Sequence, residues 1–238
     1  MRIIFCGFGR AGKEIFYHLT LRKDFISSNI LAFCHVNDDE LITELLRNNI
    51  KVYKNSINKH LDDVEKFKPD YIISAYYKFI ISDDIMSVVS FKAMNCHPSL
   101  LPNYKGCFSC PWVIINNEKK TGVSFHYMKS KIDEGNIILQ KEVEISESET
   151  AYSLYQKLVS TFILYFNTAL DKLILGYEGK AQKNEGQYYK REVPYGGILN
   201  ANKVSLEFAK RFVRAMYFPP YEGAKFIIKN KEIEINSI

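Results

Sequence analysis

The chain has 238 residues, 47% of them hydrophobic and 25% charged, with a formal net charge of +5. That length can bury a core without disulfides or metals, and the composition excludes a disordered chain. No run of five or more Lys or Arg occurs, so the basic excess reads as a mixed surface with a few cations for an anionic substrate, not as a nucleic-acid-binding arm.

Arg2 to Cys6 is a short apolar run ended by glycine. It reads as a buried strand, not as the basic-then-apolar start of a signal peptide. No apolar stretch is long enough to span a bilayer. The five cysteines are odd in number, and the expectation is a cytoplasmic protein with free thiols. Gly7 to Gly12 form a turn and Lys13 to Leu21 a helix. Ile30 to Val36 is a second apolar run, followed by the polar cluster Asn37, Asp38 and Asp39. Glu40 to Asn48 is helical, Lys51 to Tyr53 a short strand, Leu61 to Phe67 a short helix stopped by Pro69, and Tyr71 to Ser74 a third buried strand. Strands alternating with helices predict a parallel sheet flanked by helices, which binds ligands at the carboxyl ends of its strands.

Further on, 121–128 and 136–145 read as strands joined by the loop around Asp133. A long helix covers roughly 150–175, capped by Ser148 or Thr150 and ended at Gly176. Residues 177–200 are rich in glycine and tyrosine, 203–216 form an amphipathic helix stopped by Pro219 and Pro220, and Lys225 to Ile238 read as a hairpin turning at Asn230-Lys231. Cys107 and Cys110 make a lone C-x-x-C without the second pair a zinc site needs. No metal is expected, and the two cysteines read as packing residues near Trp112.

Two motifs carry chemistry. Gly7-Phe8-Gly9-Arg10-Ala11-Gly12 satisfies G-x-G-x-x-G between a strand and a helix. It suits a phosphate group, and with Asp38 as a ribose ligand it would suit an NAD(P)-dependent oxidoreductase. The second motif has two blocks. One is Asn95-Cys96-His97-Pro98-Ser99-Leu100-Leu101-Pro102, and the other is Ile132-Asp133-Glu134-Gly135-Asn136-Ile137-Ile138. A carboxamide can hold an oxyanion, an imidazole can move protons near neutral pH, and a carboxylate can orient that ring and stabilise its charged form.

These two blocks resemble the folate-dependent formyltransferase family, from about residue 70 to residue 150 and again in the tail. The resemblance implies an α/β fold: a Rossmann-like, mostly parallel sheet flanked by helices, with a short C-terminal helix and β-hairpin extension. Residues 1–180 would form the catalytic domain. Residues 181–238 would contribute to the substrate site and to a homodimer. Asn95, His97 and Asp133 would be catalytic, with His126 as supporting structure. The co-substrate would be 10-formyltetrahydrofolate, walled by Tyr77, Phe79, Ile80, Ile81 and Gly135.

The tail narrows the amine. It is too short and not basic enough for the RNA-binding domain of the methionyl-tRNA enzymes, and glycinamide ribonucleotide enzymes usually lack such a tail. Tyr188 to Ile198 and Phe212 to Ala224 resemble the sugar-nucleotide N-formyltransferases. That branch implies a nucleotide-linked amino sugar, with dTDP-4-amino-4,6-dideoxyglucose for surface polysaccharide such as O-antigen as the specific expectation. Gly9, Arg10, Lys78, Lys190 and Arg191 would hold its phosphates, and Phe218 and Tyr221 would stack on its base. One departure stands out: Cys107-Phe108-Ser109-Cys110-Pro111 replaces the Pro-rich or Arg-containing stretch of many relatives. The alternatives are the oxidoreductase and a glycinamide ribonucleotide-type formyltransferase.

Overall fold

A computed structural model describes residues 1–37, 39–183 and 185–235. In chain order it contains β1 (Ile3–Gly7), α1 (Gly9–Thr20), β2 (Ile30–Phe33), α2 (Glu40–Arg47), β3 (Lys51–Tyr53), α3 (Leu61–Phe67), β4 (Tyr71–Ala75), α4 (Asp83–Val88) and β5 (Ala93–His97). There follow β6 (Lys105–Gly106), α5 (Ser109–Ile115), β7 (Lys120–Tyr127), β8 (Ile137–Glu144), α6 (Ala151–Ile174), β9 (Tyr188–Tyr189), β10 (Ile198–Asn200), α7 (Leu206–Met216), β11 (Ala224–Ile228) and β12 (Lys231–Ile235). The chain divides into two compact units. The first comprises Met1–His97, Ser124–Gln140 and Thr161–Gln182; the second comprises Pro98–Val123, Lys141–Ser160 and Lys183–Ile238. One join falls near the boundary expected at residue 180, but both units are discontinuous in sequence.

The first unit is built on the sheet ordered β3-β2-β1-β4-β5-β7-β8. Strands β3, β2, β1, β4 and β5 run parallel, and β7 runs antiparallel to β5. Every residue of β1 is buried, because a strand covered on both faces needs a continuous apolar run. Alternation sends Phe5 to one face, where it meets Phe16 of α1 edge-on at 5.4 Å. Ile4 and Cys6 join the core on the opposite face with Leu31, Phe33, Ile72, Ile85 and Met86. Among the described residues, no helix is long and apolar enough to cross a membrane.

Helix α1 starts at Gly9, four residues before the sequence expectation. Phe8 is extended and Gly9, at φ +60, reverses the chain in a single step. A Cβ on Gly7 would lie 2.7 Å from Leu41, and one on Gly12 would lie 3.0 Å from Leu41 and 3.4 Å from the Ala75 carbonyl. Two of the three motif glycines therefore answer to packing of the α1 and α2 segments on the sheet.

In the second unit, β10 pairs parallel to β11, and β11 pairs antiparallel to β12. Helix α7 opens with Ser205 accepting the Phe208 N–H at 3.2 Å. It buries Phe212, Val213, Ala215 and Met216, with Phe212 edge-on to Phe226. The terminal hairpin is present, but its turn is one residue earlier than expected. Lys229 and Asn230 both have positive φ, as a tight hairpin turn demands. Six elements had no expectation: α4, β5, β6, α5, β9 and β10. Each is seven residues long or shorter, and so short a run carries too little periodicity to stand out.

Candidate active site

Strand β5 brings Asn95 and His97 to one face, because they are two residues apart. Its antiparallel pairing with β7 sets Asn95 directly opposite His126. After β7 the chain turns through Asp133, whose φ is +57. Asp tolerates that left-handed conformation better than most residues. Its carboxylate serves both imidazoles: Oδ2 lies 3.3 Å from His97 Nδ1, and Oδ1 lies 3.3 Å from His126 Nε2. Asn95 Nδ2 lies 3.2 Å from His126 Nε2. His97 is 3% exposed, His126 1% and Asp133 8%, while Asn95 is half-buried. Burial of this kind removes the solvent that would otherwise screen charges in the cluster.

The hydrogen-bond pattern assigns the His126 protons. Its Nδ1 faces the Tyr127 carbonyl at 2.8 Å, so Nδ1 carries a proton. In the neutral ring Nε2 is then an acceptor, and it takes one of the two Asn95 amide hydrogens. The second amide hydrogen is not used by His126. Adding a proton to the ring turns Nε2 into a donor toward Asp133 and ends its acceptance from Asn95. His126 therefore hydrogen-bonds Asn95 when neutral and Asp133 when protonated.

The turn carrying Asp133 is tightly held. A Cβ on Gly135 would lie 1.7 Å from the Tyr127 carbonyl oxygen, so the glycine in this motif is required by chain packing whatever ligand it meets. Gly135→Ala is expected to displace the turn, to destabilise the fold by about 1–3 kcal/mol as overpacking does, and to lower activity with it. Thermal melting and turnover measured together check this; an unchanged melting temperature would contradict the steric account.

The segment expected to wall the co-substrate is also pinned. The Tyr77 hydroxyl donates to the Asn55 carbonyl at 3.1 Å and accepts the Ile57 N–H at 3.0 Å. Burial pushes its pKa well up, so it stays protonated. Asn58 donates to the Ile80 carbonyl at 2.9 Å and accepts the Ser82 N–H at 3.0 Å. Phe79 stacks on His35 at 5.7 Å and meets Tyr77 edge-on. Ile81 belongs to the core, while Ile80 is 67% exposed. Of the four residues expected here, Tyr77 and Ile81 have structural duties, and Phe79 and Ile80 are the more available as apolar walls.

At the glycine loop, the Gly9 N–H is already hydrogen-bonded, to Asp39 Oδ2 at 2.7 Å. Asp39 also caps α2, its Oδ1 accepting the Ile42 N–H at 3.1 Å. Asp38, the expected ribose ligand, lies outside the described residues. Lys78 places its Nζ 3.4 Å from the Phe8 ring centroid, and Arg10 is exposed.

In the second unit, Phe218 meets Tyr152, Tyr155 and Tyr221. A cleft of about 330 Å³ beside it is lined by Tyr217 to Gly223 and by Glu234. Glu222 and Glu234 put carboxylates there, which suits a base better than a phosphate. Tyr221 is 70% exposed, and Lys190 and Arg191 are exposed just after β9. Cys110 is buried, and that burial pushes its thiol up to about 12, so it is no nucleophile at neutral pH. Among the described residues, no group of His, Cys, Asp and Glu is arranged to hold a metal ion.

Residues 37–162 match the family model described as "Formyl transferase". The chain is 39% identical over 172 residues to the GDP-perosamine N-formyltransferase of Brucella melitensis, covering 72% of this chain and 66% of that protein. The match therefore spans just under two thirds of the relative's length. A 4-N formyltransferase from Francisella tularensis shares the fold, with a TM-score of 0.81, 22% identity and coverage of 100% of this chain and 97% of that one. An N-formyltransferase from Helicobacter canadensis, solved with folinic acid and dTDP-3-aminofucose, has a TM-score of 0.81 at 24% identity, covering 98% and 86%.

Proposed function

The chain belongs to the formyl transferase family, and on that premise we propose that it moves a formyl group from 10-formyltetrahydrofolate to the amine of a nucleotide-linked amino sugar. The observation that carries this reading is the convergence of four side chains, with Asp133 oxygens 3.3 Å from the His97 and His126 rings and Asn95 Nδ2 3.2 Å from His126. When the amine adds to the formyl carbon, the carbonyl oxygen gains negative charge, and the Asn95 amide donates to it. The amine nitrogen must lose a proton and the departing folate nitrogen must gain one; His97 carries that proton, and Asp133 stabilises the imidazolium in between. The co-substrate supplies the activated formyl group. Phe79 and Ile80 offer apolar walls for its flat ring, and the pinned backbone between them and Ser82 offers fixed hydrogen-bonding groups.

We place the sugar among the 4-amino-4,6-dideoxyhexoses. The specific expectation, dTDP-4-amino-4,6-dideoxyglucose, and perosamine, the sugar in the name of the Brucella relative, both belong to that class. The reaction would run in the cytoplasm, and its product would feed surface polysaccharide. Arg10 and Lys78 are the proposed phosphate contacts of the first unit. The Gly9 amide can contribute only where Asp39 yields it, and the same bond argues against a nicotinamide dinucleotide on this loop.

A panel assay tests the reading: protein, 10-formyltetrahydrofolate, and dTDP- and GDP-linked 3-amino and 4-amino dideoxy sugars, with release of tetrahydrofolate followed. Turnover of a 4-amino sugar, at least tenfold above the 3-amino isomers, is expected. Absence of turnover with every member, together with tight NADPH binding, would replace this reading with the oxidoreductase.

A further inference from the structure

Beyond the two motif blocks, the chain after α6 returns to the turn that carries Asp133. From Tyr177 to Gln182 it runs alongside residues 133–137, all within the first unit. The Tyr127 hydroxyl donates to the Tyr177 carbonyl. Asn136 Nδ2 donates to the Glu178 carbonyl at 3.0 Å. Ile137 and Lys180 exchange both backbone hydrogen bonds at 2.8 Å. The last contact is a side chain: Gln182 Nε2 donates to the Asp133 carbonyl at 2.7 Å and to the Gly135 carbonyl at 2.8 Å.

We propose that Gln182 is a positioning residue for formyl transfer: its carboxamide clamps the two carbonyls that flank Glu134 and thereby fixes the direction of the Asp133 carboxylate. This rests on the function proposed above. Asp133 holds φ +57, a conformation few non-glycine residues keep without support. The Asp133 carboxylate must reach two imidazoles from opposite oxygens, so a small backbone rotation breaks one or both contacts. Gln182 is not in either motif, and its Oε1 is enclosed with no hydrogen-bond partner. An enclosed acceptor without a partner is unfavourable; the amide is held there by its donor side. Only a side chain with two hydrogens on one nitrogen and this reach can bridge both carbonyls.

Gln182→Met keeps the length and volume but removes the donors. The expected result is a kcat lower by about 10- to 100-fold, as a small misplacement of a reacting group produces, with the KM for the amino sugar nearly unchanged. A second readout needs no substrate: the His97 imidazole, followed by NMR, faces Asp133 and lies near the His126 ring. Its titration is expected to move to lower pH in the variant, as a carboxylate partner withdraws. Gln182→Glu, which presents oxygen to both carbonyls, is expected to be at least as damaging as Gln182→Met. Turnover within about twofold of wild type together with an unmoved His97 titration would overturn the proposal. Should Gln182→Met fail to fold, the same two readouts on Gln182→Asn decide the matter. If the wild type formylates no amino sugar, the functional reading falls, and the titration still settles whether Gln182 aims Asp133.

Discussion

Replacing His97 with alanine is expected to lower kcat for formyl transfer by roughly a thousandfold, within the 10²–10⁴ range of general acid–base catalysis, with little change in KM. In the proposed mechanism one proton leaves the attacking amine and one reaches the departing folate nitrogen, with His97 carrying it and Asp133 stabilising the charge in between. Its Nδ1 faces Asp133 Oδ2 at 3.3 Å in a nearly water-free setting, so the imidazolium gains more from the carboxylate than it would at a surface. Asp133→Asn keeps the volume and removes the charge; a loss of about 10²-fold is expected, smaller than for His97→Ala because the ring survives. Because the two act as a unit, the double variant should be little worse than His97→Ala alone. Steady-state release of tetrahydrofolate measures all three. An alanine variant turning over at a near-normal rate would remove His97 from the chemistry.

Asn95→Ala is expected to cost about 10²–10³ in kcat, the usual loss when one oxyanion donor is deleted. The geometry adds a second arm. One amide hydrogen of Asn95 goes to His126, which leaves a single donor for the developing oxyanion. Asn95→Asp retains the shape but offers an acceptor there, and it brings a second carboxylate toward Asp133. The aspartate variant should therefore be at least as impaired as the alanine variant. An aspartate variant keeping more than half of the wild-type rate would mean that this position donates nothing to the reacting oxygen.

Much of this arrangement is legible in the chain before folding. Residues 3–6 and 71–74 announce buried strands because no charged residue interrupts them, and the long apolar α6 shows itself by its length. Asn95, His97 and Asp133 stand out because three residue types suited to one chemistry recur in two dense blocks. His126 is harder to read, since its importance comes from standing opposite Asn95, and that depends on an antiparallel pairing that no local pattern states. Gln182 is invisible for a similar reason: it reaches Asp133 across 49 residues of sequence. The glycine loop carries a packing requirement that the chain alone does not display. G-x-G-x-x-G suggests a ligand, whereas Gly7 and Gly12 are explained by Leu41 and the Ala75 carbonyl, contacts that only the folded sheet creates.

Asp39 ties two helices to a single carboxylate. One oxygen takes the first free amide of α1, and the other caps α2. The electropositive ends of both helices are thereby partly neutralised from within the chain. An incoming phosphate cannot engage the Gly9 amide as a passive guest. It would compete with a tethered anion whose other oxygen holds the start of the neighbouring helix.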